Sequence, residues 1–370
     1  MNLKLHIVTF DVPYPPNYGG VIDVFYKIKA LHHLGVKIIL HTYNYGRGEQ
    51  KELNTYCEQV IYYKRSSFLS IFSIKPFIVK TRDSAKLITN LKKDNAPILF
   101  EGIHTTFPII DSNFSNRKIL VRTHNIEHFY YAGLAKSEKN IFKKLFFNFE
   151  AKKLKFYEKI IHKVDIVLTI SPSEQKYFIK KFGKKSKYIP VFHENNEIKN
   201  ISETGKYALY HGDLRVADNL KAVKYLISIF KKITYPLRIA SSFKNEELIE
   251  TIKNIPNISF VFLDYQNQNH LKELFKNAHL NVLPTFQQTG IKLKLINALY
   301  NSRFCVVNTK MVAETNLESL CEVAIDKKEF LRKINDCIVK KYTQKEVLKR
   351  TKKLIDFETN TNAKKIIALL

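Results

Sequence analysis

The feature that most constrains this chain is a repeated alternation of short apolar runs with amphipathic stretches. Residues 3–10 read LKLHIVTF, rich in branched and aromatic side chains and short enough for a buried strand. A loop with Pro13, Pro15, Pro16 and the pair Gly19-Gly20 follows. VIDVFYKIKALHHLG then sets Val21, Val24, Phe25, Ile28 and Leu31 at helical spacing, with Gly35 as a stop signal, and VKIILHTY reads as the next strand. Strand, glycine loop, helix, glycine, strand makes a βαβ unit of about 30 residues.

The alternation continues. Strands are predicted at 97–102 (PILFEG), 117–125 (RKILVRTHN) and 164–171 (VDIVLTIS). Around 188–205 the chain turns polar and turn-rich, as an inter-domain linker would. It then restarts with strands at 207–212, 236–241, 258–264, 280–285 and 304–308, and helices at 219–232, 244–253, 268–277 and 291–300. Two successive series of this kind imply an α/β protein with two doubly wound parallel sheets. The 370-residue length favours two domains as well. In such sheets ligands bind beyond the carboxyl ends of the strands, where helix N-termini gather, and a cleft between two domains is the expected active site.

Lys and Arg total 61 against 34 Asp and Glu, a net charge of +27, which points to polyanionic partners: nucleic acid, an anionic membrane or phosphorylated substrates. No zinc finger, RNA-recognition motif or basic zipper is present, so no nucleic-acid partner is expected. Cys57, Cys305, Cys321 and Cys337 form no CxxC pair, and are read as reduced thiols rather than a metal or redox site. No apolar run approaches the roughly 18–20 residues of a membrane span, and the first residues read as a strand rather than a signal peptide. A cytoplasmic protein is expected.

Five segments carry a resemblance: DVPYPPNYGGVIDVFYKIKALHHLGVKI, VRTHNIEHFYYAGLA with its HN-x-E strand end, TISPSEQKYF, YHGDLRVADNLKAVKYL, and AHLNVLPTFQQTGIKLKLINALYNSRFCVVN. In order and spacing, over roughly 1–325, the chain resembles the family 4-like glycosyltransferases of GT-B fold (glycosyltransferase group 1 type). The resemblance implies two Rossmann-like domains facing across a cleft: an acceptor domain at 1–192, a nucleotide-sugar domain at 193–345, and a final helix at 346–370 crossing back to the first domain. It implies transfer of a sugar from a nucleotide-diphosphate sugar, as co-substrate, to a glycan or lipid-linked acceptor. It further implies retention of configuration, no bound metal and no other cofactor.

Without a metal, the charge on the departing diphosphate must be met by fixed donors and cations. A helix opening at Thr289-Gly290, with Lys292 and Lys294 in its first turns, fits that need. Lys294 is the expected diphosphate contact and Arg215 the second, with Gly290 and Gly212 permitting close backbone approach. The family's paired glutamates, eight positions apart, fall on Thr289 and Asn297. Asn297 can still hydrogen-bond a ribose diol, whereas Thr289 supplies no carboxylate; GIKLK matches instead a G-x-K/R-x-K branch of the family. A non-catalytic carbohydrate- or nucleotide-binding relative and a nucleotide-sugar epimerase therefore stay open as alternatives.

In the first half, Gly19 and Gly20 either shape the ligand cleft or only a turn. His124 follows a predicted strand, and the resemblance assigns it to the donor sugar; a strand-end cap is the plainer account. Glu127 can orient the acceptor or accept its proton, or simply favour a helix N-terminus. Glu101, His104 and Lys292 carry structural readings beside functional ones, His128 sits beside Glu127 just beyond His124, His211 is left open, and Asn219 reads as a helix cap. Finally, 139–163 holds eight Lys and two Glu among many aromatics. On a helical wheel Phe142, Leu145, Phe146, Phe149, Phe156, Tyr157 and Ile160 share one broad face. It is either a packing helix or, with the basic aromatic stretch 62–82, a surface for anionic lipid.

Overall fold

The computed structural model describes residues 3–66, 68–112, 114, 116–199, 204–264, 268–287 and 292–370. It divides into two compact units: 1–194 with 356–370, and 195–355.

The first unit holds a seven-stranded, all-parallel sheet. Its strands are β1 (Lys4–Thr9), β2 (Lys37–Asn44), β3 (Gln59–Lys64), β4 (Ile98–Glu101), β5 (Ile119–Arg122), β6 (Ile166–Thr169) and β7 (Ser186–Tyr188), in the order β3-β2-β1-β4-β5-β6-β7. The order reverses between β1 and β4, so this sheet has its switch point there. Side chains alternate faces along each strand. Val8, Ile98, Phe100, Ile119, Val121 and Val167 enter one apolar cluster, and Leu5, Ile7, Leu99, Leu120, Ile166 and Leu168 enter the other. The helix Gly19–His33 covers the second face with Val24, Phe25, Ile28 and Leu31.

The second unit holds β8 (Tyr207–His211), β9 (Leu237–Ser241), β10 (Ile258–Phe262), β11 (Ala278–Leu283), β12 (Phe304–Asn308) and β13 (Glu322–Ala324). They form an all-parallel sheet in the order β10-β9-β8-β11-β12-β13, with its switch point between β8 and β11. Both units are thus doubly wound, as the alternation predicts. Three strands escape the sequence reading. β7 and β13 span three residues each, too short for a period-two signal. β3, QVIYYK, begins before the 62–82 segment and supplies its first residues.

The divisions fall at 194/195 and 355/356, rather than at 192/193 and 345/346. The helix Gln344–Leu354 stays with the second unit because buried Arg350 donates to the carbonyls of Leu299, Ser302 and Arg303. Only the last segment returns to the first. The helix Thr359–Ile367 packs on Gly19–His33, burying Ala363 and Ile366 in that unit's core, and Thr359 Oγ1 donates to the His193 carbonyl at 3.0 Å.

The basic aromatic segments are corrected in detail. In 62–82, Tyr63, Ile78, Val79 and Arg82 are buried, and among the described side chains of the segment Phe72 and Ile74 are the large exposed apolar ones. The helix Ile141–Tyr157 does not pack through the broad face of the wheel. It turns Glu150 and Leu154 inward, with Phe146, Phe147 and Tyr157 partly covered, and leaves Phe142, Leu145, Phe149 and Phe156 outward. Ile160 is buried, in the 3-10 turn Glu158–Lys163 that follows.

Candidate functional site

Each sheet gathers polar side chains at the carboxyl ends of the strands beside its switch point.

In the first unit, strand alternation sends Glu101 and Arg122, the last residues of β4 and β5, to the face covered by Gly19–His33. They are also direct register partners. The helix meets them with Asp23 and Lys27, four positions apart and therefore on one side. Arg122 donates to Asp23 through Nε (3.1 Å) and Nη2 (2.9 Å). Lys27 Nζ donates to Asp23 Oδ2 at 3.0 Å and to Glu101 Oε1 at 2.6 Å. The other carboxylate oxygen, Glu101 Oε2, lies 3.1 Å from His124 Nε2. The four charged side chains are fully buried. Burial pushes both carboxyls up, but Arg122 and Lys27 bring Asp23, and Lys27 and His124 bring Glu101, to a net position below the ordinary carboxylate range. Both stay ionised. Asp23, Glu101 and His124 each offer a ligand atom, all within 4.8 Å of one another. The Lys27 ammonium bridges the two carboxylates, however, so the charge a metal would supply there is already supplied by the chain.

Beside this group, the Phe10 ring lies 5.4 Å from the His124 ring, edge-on, and 5.5 Å from that of His104. Gly19 and Gly20 open the helix Gly19–His33, and a Cβ on Gly20 would stand 2.8 Å from Phe10 Cζ. Gly20 therefore lets the helix start pass against Phe10; Gly19 is the first helical residue. His104 is driven well below its ordinary pKa by burial, then by the Arg82 charge, so it is neutral. Glu127 is the first residue of the helix Glu127–Ser137. Burial, then the Glu174 carboxylate, pushes its carboxyl up to about 8. It holds its proton at neutral pH, where an ordinary glutamate does not. His128 turns instead to Glu158, 3.3 Å away, which also takes Tyr177 and Lys181; that is a structural cluster.

In the second unit, Thr289 and Gly290 lie outside the described residues. The described helix is Leu293–Asn301, with Lys292 at its N-cap position and Lys294 second in the helix. Lys294 Nζ donates to Asn219 Oδ1 at 2.5 Å and lies 3.4 Å from Tyr210 Oη and 5.2 Å from the centre of that ring. Among the described residues no carboxylate comes within 4.0 Å of it. Burial, against the pull of Asp218, lowers its pKa to about 8. Asn219 is not a cap. It is the third residue of the helix Ala217–Phe230, with Nδ2 donating to the Asp213 carbonyl at 2.8 Å. A Cβ on Gly212 would stand 3.2 Å from Asn219 Nδ2 and 3.3 Å from Lys294 Nζ. Gly212, Asn219 and Lys294 are therefore brought together.

His211, at the end of β8, is buried and pushed down to about 3 by burial and then by Lys294; its Nε2 has no partner among the described residues. Asp218 pins the loop after β11, accepting from Thr285 Oγ1 (2.7 Å) and the Phe286 amide (2.9 Å). Three more lysines converge on that loop: Lys292 on the Gln287 carbonyl (3.3 Å), Lys310 on the Phe286 carbonyl (3.2 Å), and Lys221 over the Phe286 ring (4.5 Å). Arg215 is forked onto Asp213 through Nε (3.0 Å) and Nη2 (2.7 Å), on an exposed side chain. Asn297 stands one turn after Lys294, its Oδ1 accepting from Asn195 Nδ2 at 2.8 Å.

Sequence reasoning put weight on His124, Glu127 and Lys294. It missed Asp23, Lys27 and Arg122 altogether, and Tyr210 as a partner of Lys294. One signal for the first group was available: an Asp and a Lys at i, i+4 inside a helix with an apolar stripe.

Residues 205–340 match the family described as "Glycosyl transferases group 1". The chain is 26% identical over 333 residues to an uncharacterised 44.6 kDa protein in the cps region of Klebsiella pneumoniae, covering 84% of each. Among solved structures it resembles TarM, with a TM-score of 0.68 and 11% identity over 100% of this chain and 99% of that one. It also resembles a glycosyltransferase from Rickettsia africae ESF-5, with a TM-score of 0.67 and 14% identity over 100% and 97%. The class follows: the fold is that of the GT-B glycosyltransferases, and residues 205–340 carry the group 1 glycosyltransferase match.

Proposed function

We propose that the chain transfers a sugar from a nucleotide-diphosphate sugar to a glycan or lipid-linked acceptor in cell-surface polysaccharide or glycolipid assembly, with retention of configuration and without a bound metal. One observation carries this reading: the Lys294 ammonium is half-buried and held by Asn219 and Tyr210, with no carboxylate against it among the described residues. A cation fixed and left unmatched at a switch point is set for an anion. As the sugar–phosphate bond breaks, charge gathers on the departing diphosphate, and Lys294 meets it without reorganising. Gly212 leaves room for the approach, Thr289 and Gly290 are assigned to the same donor site, and Asn297 to the nucleoside. Arg215 joins the phosphates by exchanging Asp213 for them. Within the first unit Gly19, Gly20 and His124 are assigned to sugar binding, and Glu127, in the fraction whose carboxyl has ionised, takes the acceptor proton. The cps-region relative supports the polysaccharide setting.

The test is incubation with UDP-glucose, UDP-galactose, UDP-N-acetylglucosamine and GDP-mannose, following release of nucleoside diphosphate and the anomeric configuration of the product. Turnover unchanged by EDTA is expected. A tenfold loss restored by Mg²⁺ would refute metal independence, and nucleotide binding without turnover would make the chain a scaffold. A changed sugar configuration without acceptor would make it an epimerase.

The same reading places the protein at the cytoplasmic face of an anionic membrane. No helix among the described residues is long and apolar enough to cross a membrane. Phe142, Leu145, Phe149 and Phe156 follow one another at 3-, 4- and 7-residue steps along one stripe and are 47–79% exposed. Phe72 and Ile74, on the neighbouring segment, are 84% and 94% exposed. That segment is tied to the helix by the Phe77 amide, which donates to Glu150 at 2.6 Å. Lys144, Lys152, Lys155 and Lys159 flank the stripe. Each aromatic inserted and each lysine near anionic headgroups contributes on the order of 1 kcal/mol or more. Co-sedimentation with phosphatidylglycerol vesicles, absent with phosphatidylcholine and lost in the Phe142→Ser/Phe149→Ser double variant, is the expected result.

A further inference from the structure

The buried ion chain of the first unit ends on an imidazole, and it fixes that imidazole's chemistry. Running outward, Arg122 holds Asp23, Asp23 holds Lys27, Lys27 holds Glu101, and Glu101 Oε2 reaches His124 Nε2 at 3.1 Å. Cations and carboxylates alternate and cancel, so the chain is neutral without any charge on His124. A carboxylate has only acceptor sites. His124 Nε2 must therefore be the donor, and in the neutral ring Nδ1 is left as the acceptor. Nδ1 is buried and has no partner among the described residues. The Phe10 ring stands edge-on to the imidazole and limits its swing.

We propose that Glu101, steadied by Lys27, is the positioning residue of the site: it sets the Nε2–H tautomer and the ring orientation of His124, so that Nδ1 presents a lone pair to a hydroxyl of the bound sugar. The inference rests on the reading of His124 given above as a sugar contact. Glu101 touches no substrate and gives up no proton; Lys27 keeps it ionised and holds its carboxylate at the angle the imidazole requires. This deepens the function of the site from a lone histidine to a histidine whose acceptor atom is chosen by a buried chain.

The first test uses the unaltered protein. With ¹³C,¹⁵N-histidine labelling and His124→Gln to assign the signal, long-range ¹⁵N–¹H spectra above the imidazole titration should show protonated Nε2 and bare Nδ1. A protonated Nδ1 overturns the proposal. The second test is Glu101→Gln, an isostere whose amide can donate to Nε2 as well as accept from it. The tautomers should mix. In the donor assay above, using whichever of the four sugar nucleotides is turned over fastest, kcat should fall about ten- to a hundred-fold with KM little changed. A wild-type tautomer together with wild-type kcat in that variant also overturns it. Should Glu101→Gln fail to fold, the spectrum of the unaltered protein still decides. Full turnover by His124→Gln would sink the sugar-contact reading instead, and the tautomer measurement separates that failure from this one.

Discussion

The two switch points use basic residues in opposite ways. In the first unit Lys27 and Arg122 are buried against Asp23 and Glu101, and each of these four charges has its partner. In the second, Lys294 rests on an amide oxygen, a phenol and a ring, while Lys292 and Lys310 rest on carbonyls. The same residue type is structural in one place and poised in the other. What separates them is compensation: a matched cation orders its neighbours, and an unmatched one keeps its field for a ligand.

The largest way to break that comparison is Lys27→Met. It leaves two buried carboxylates facing each other, and breaking a buried pair costs about 3–5 kcal/mol. Urea unfolding should show that loss. A change below about 1 kcal/mol would mean the chain of charges holds nothing in place.

Lys294→Met should do the reverse. Turnover should fall about 10²–10³-fold, the scale of removing one transition-state donor, while stability rises. The sign follows from linkage. The folded pKa, about 8, lies below the ordinary lysine value, so the protonated form is disfavoured by folding at neutral pH. Relief of that cost should be worth about 1–3 kcal/mol. A variant both inactive and less stable would mark Lys294 as a packing residue.

Glu127 sharpens the contrast within the first unit, because it is buried with no cation in ion-pair contact among the described residues, Arg82 acting on it only at a distance. Its folded pKa of about 8 lies above the unfolded one. The folded state binds the extra proton between the two values, so stability should decline as pH rises from the ordinary glutamate pKa to about 8. Over that window the melting temperature should drop by roughly 3–6 °C. If the carboxylate accepts the acceptor's proton, kcat/KM should climb through the same upper limit. Glu127→Gln should flatten both profiles; an unchanged stability slope would place the titration on another group.

The smallest effect is a proton count. A diphosphate beside Lys294 should raise its pKa again, so UDP binding near pH 8 should take up a fraction of a proton. Calorimetry in two buffers of different ionisation enthalpy reads it directly, and buffer-independent heat would remove Lys294 from the phosphate site.

Much of this molecule is written locally. The apolar runs that became β1, β2, β4 and β8 alternate with helices at a spacing that demands parallel sheets, because periods of two and 3.6 are properties of the chain itself. The order of HN-x-E, YHGD and GIKLK likewise lies on the page before any folding. What tertiary structure decided is which charges meet. Asp23 and Arg122 are 99 positions apart and Lys27 and Glu101 are 74 apart. No pattern in either segment announces the other. Only the parallel register that sets Glu101 opposite Arg122, with Gly19–His33 laid over that face, brings them into one row. The helix Ile141–Tyr157 gives the same lesson from outside. Its sequence offers two apolar flanks, and packing alone chose to bury Leu154 and leave Phe142 to the solvent. Periodicity is fixed by bonds between neighbours in sequence, whereas partnership is fixed by which surfaces exclude water together.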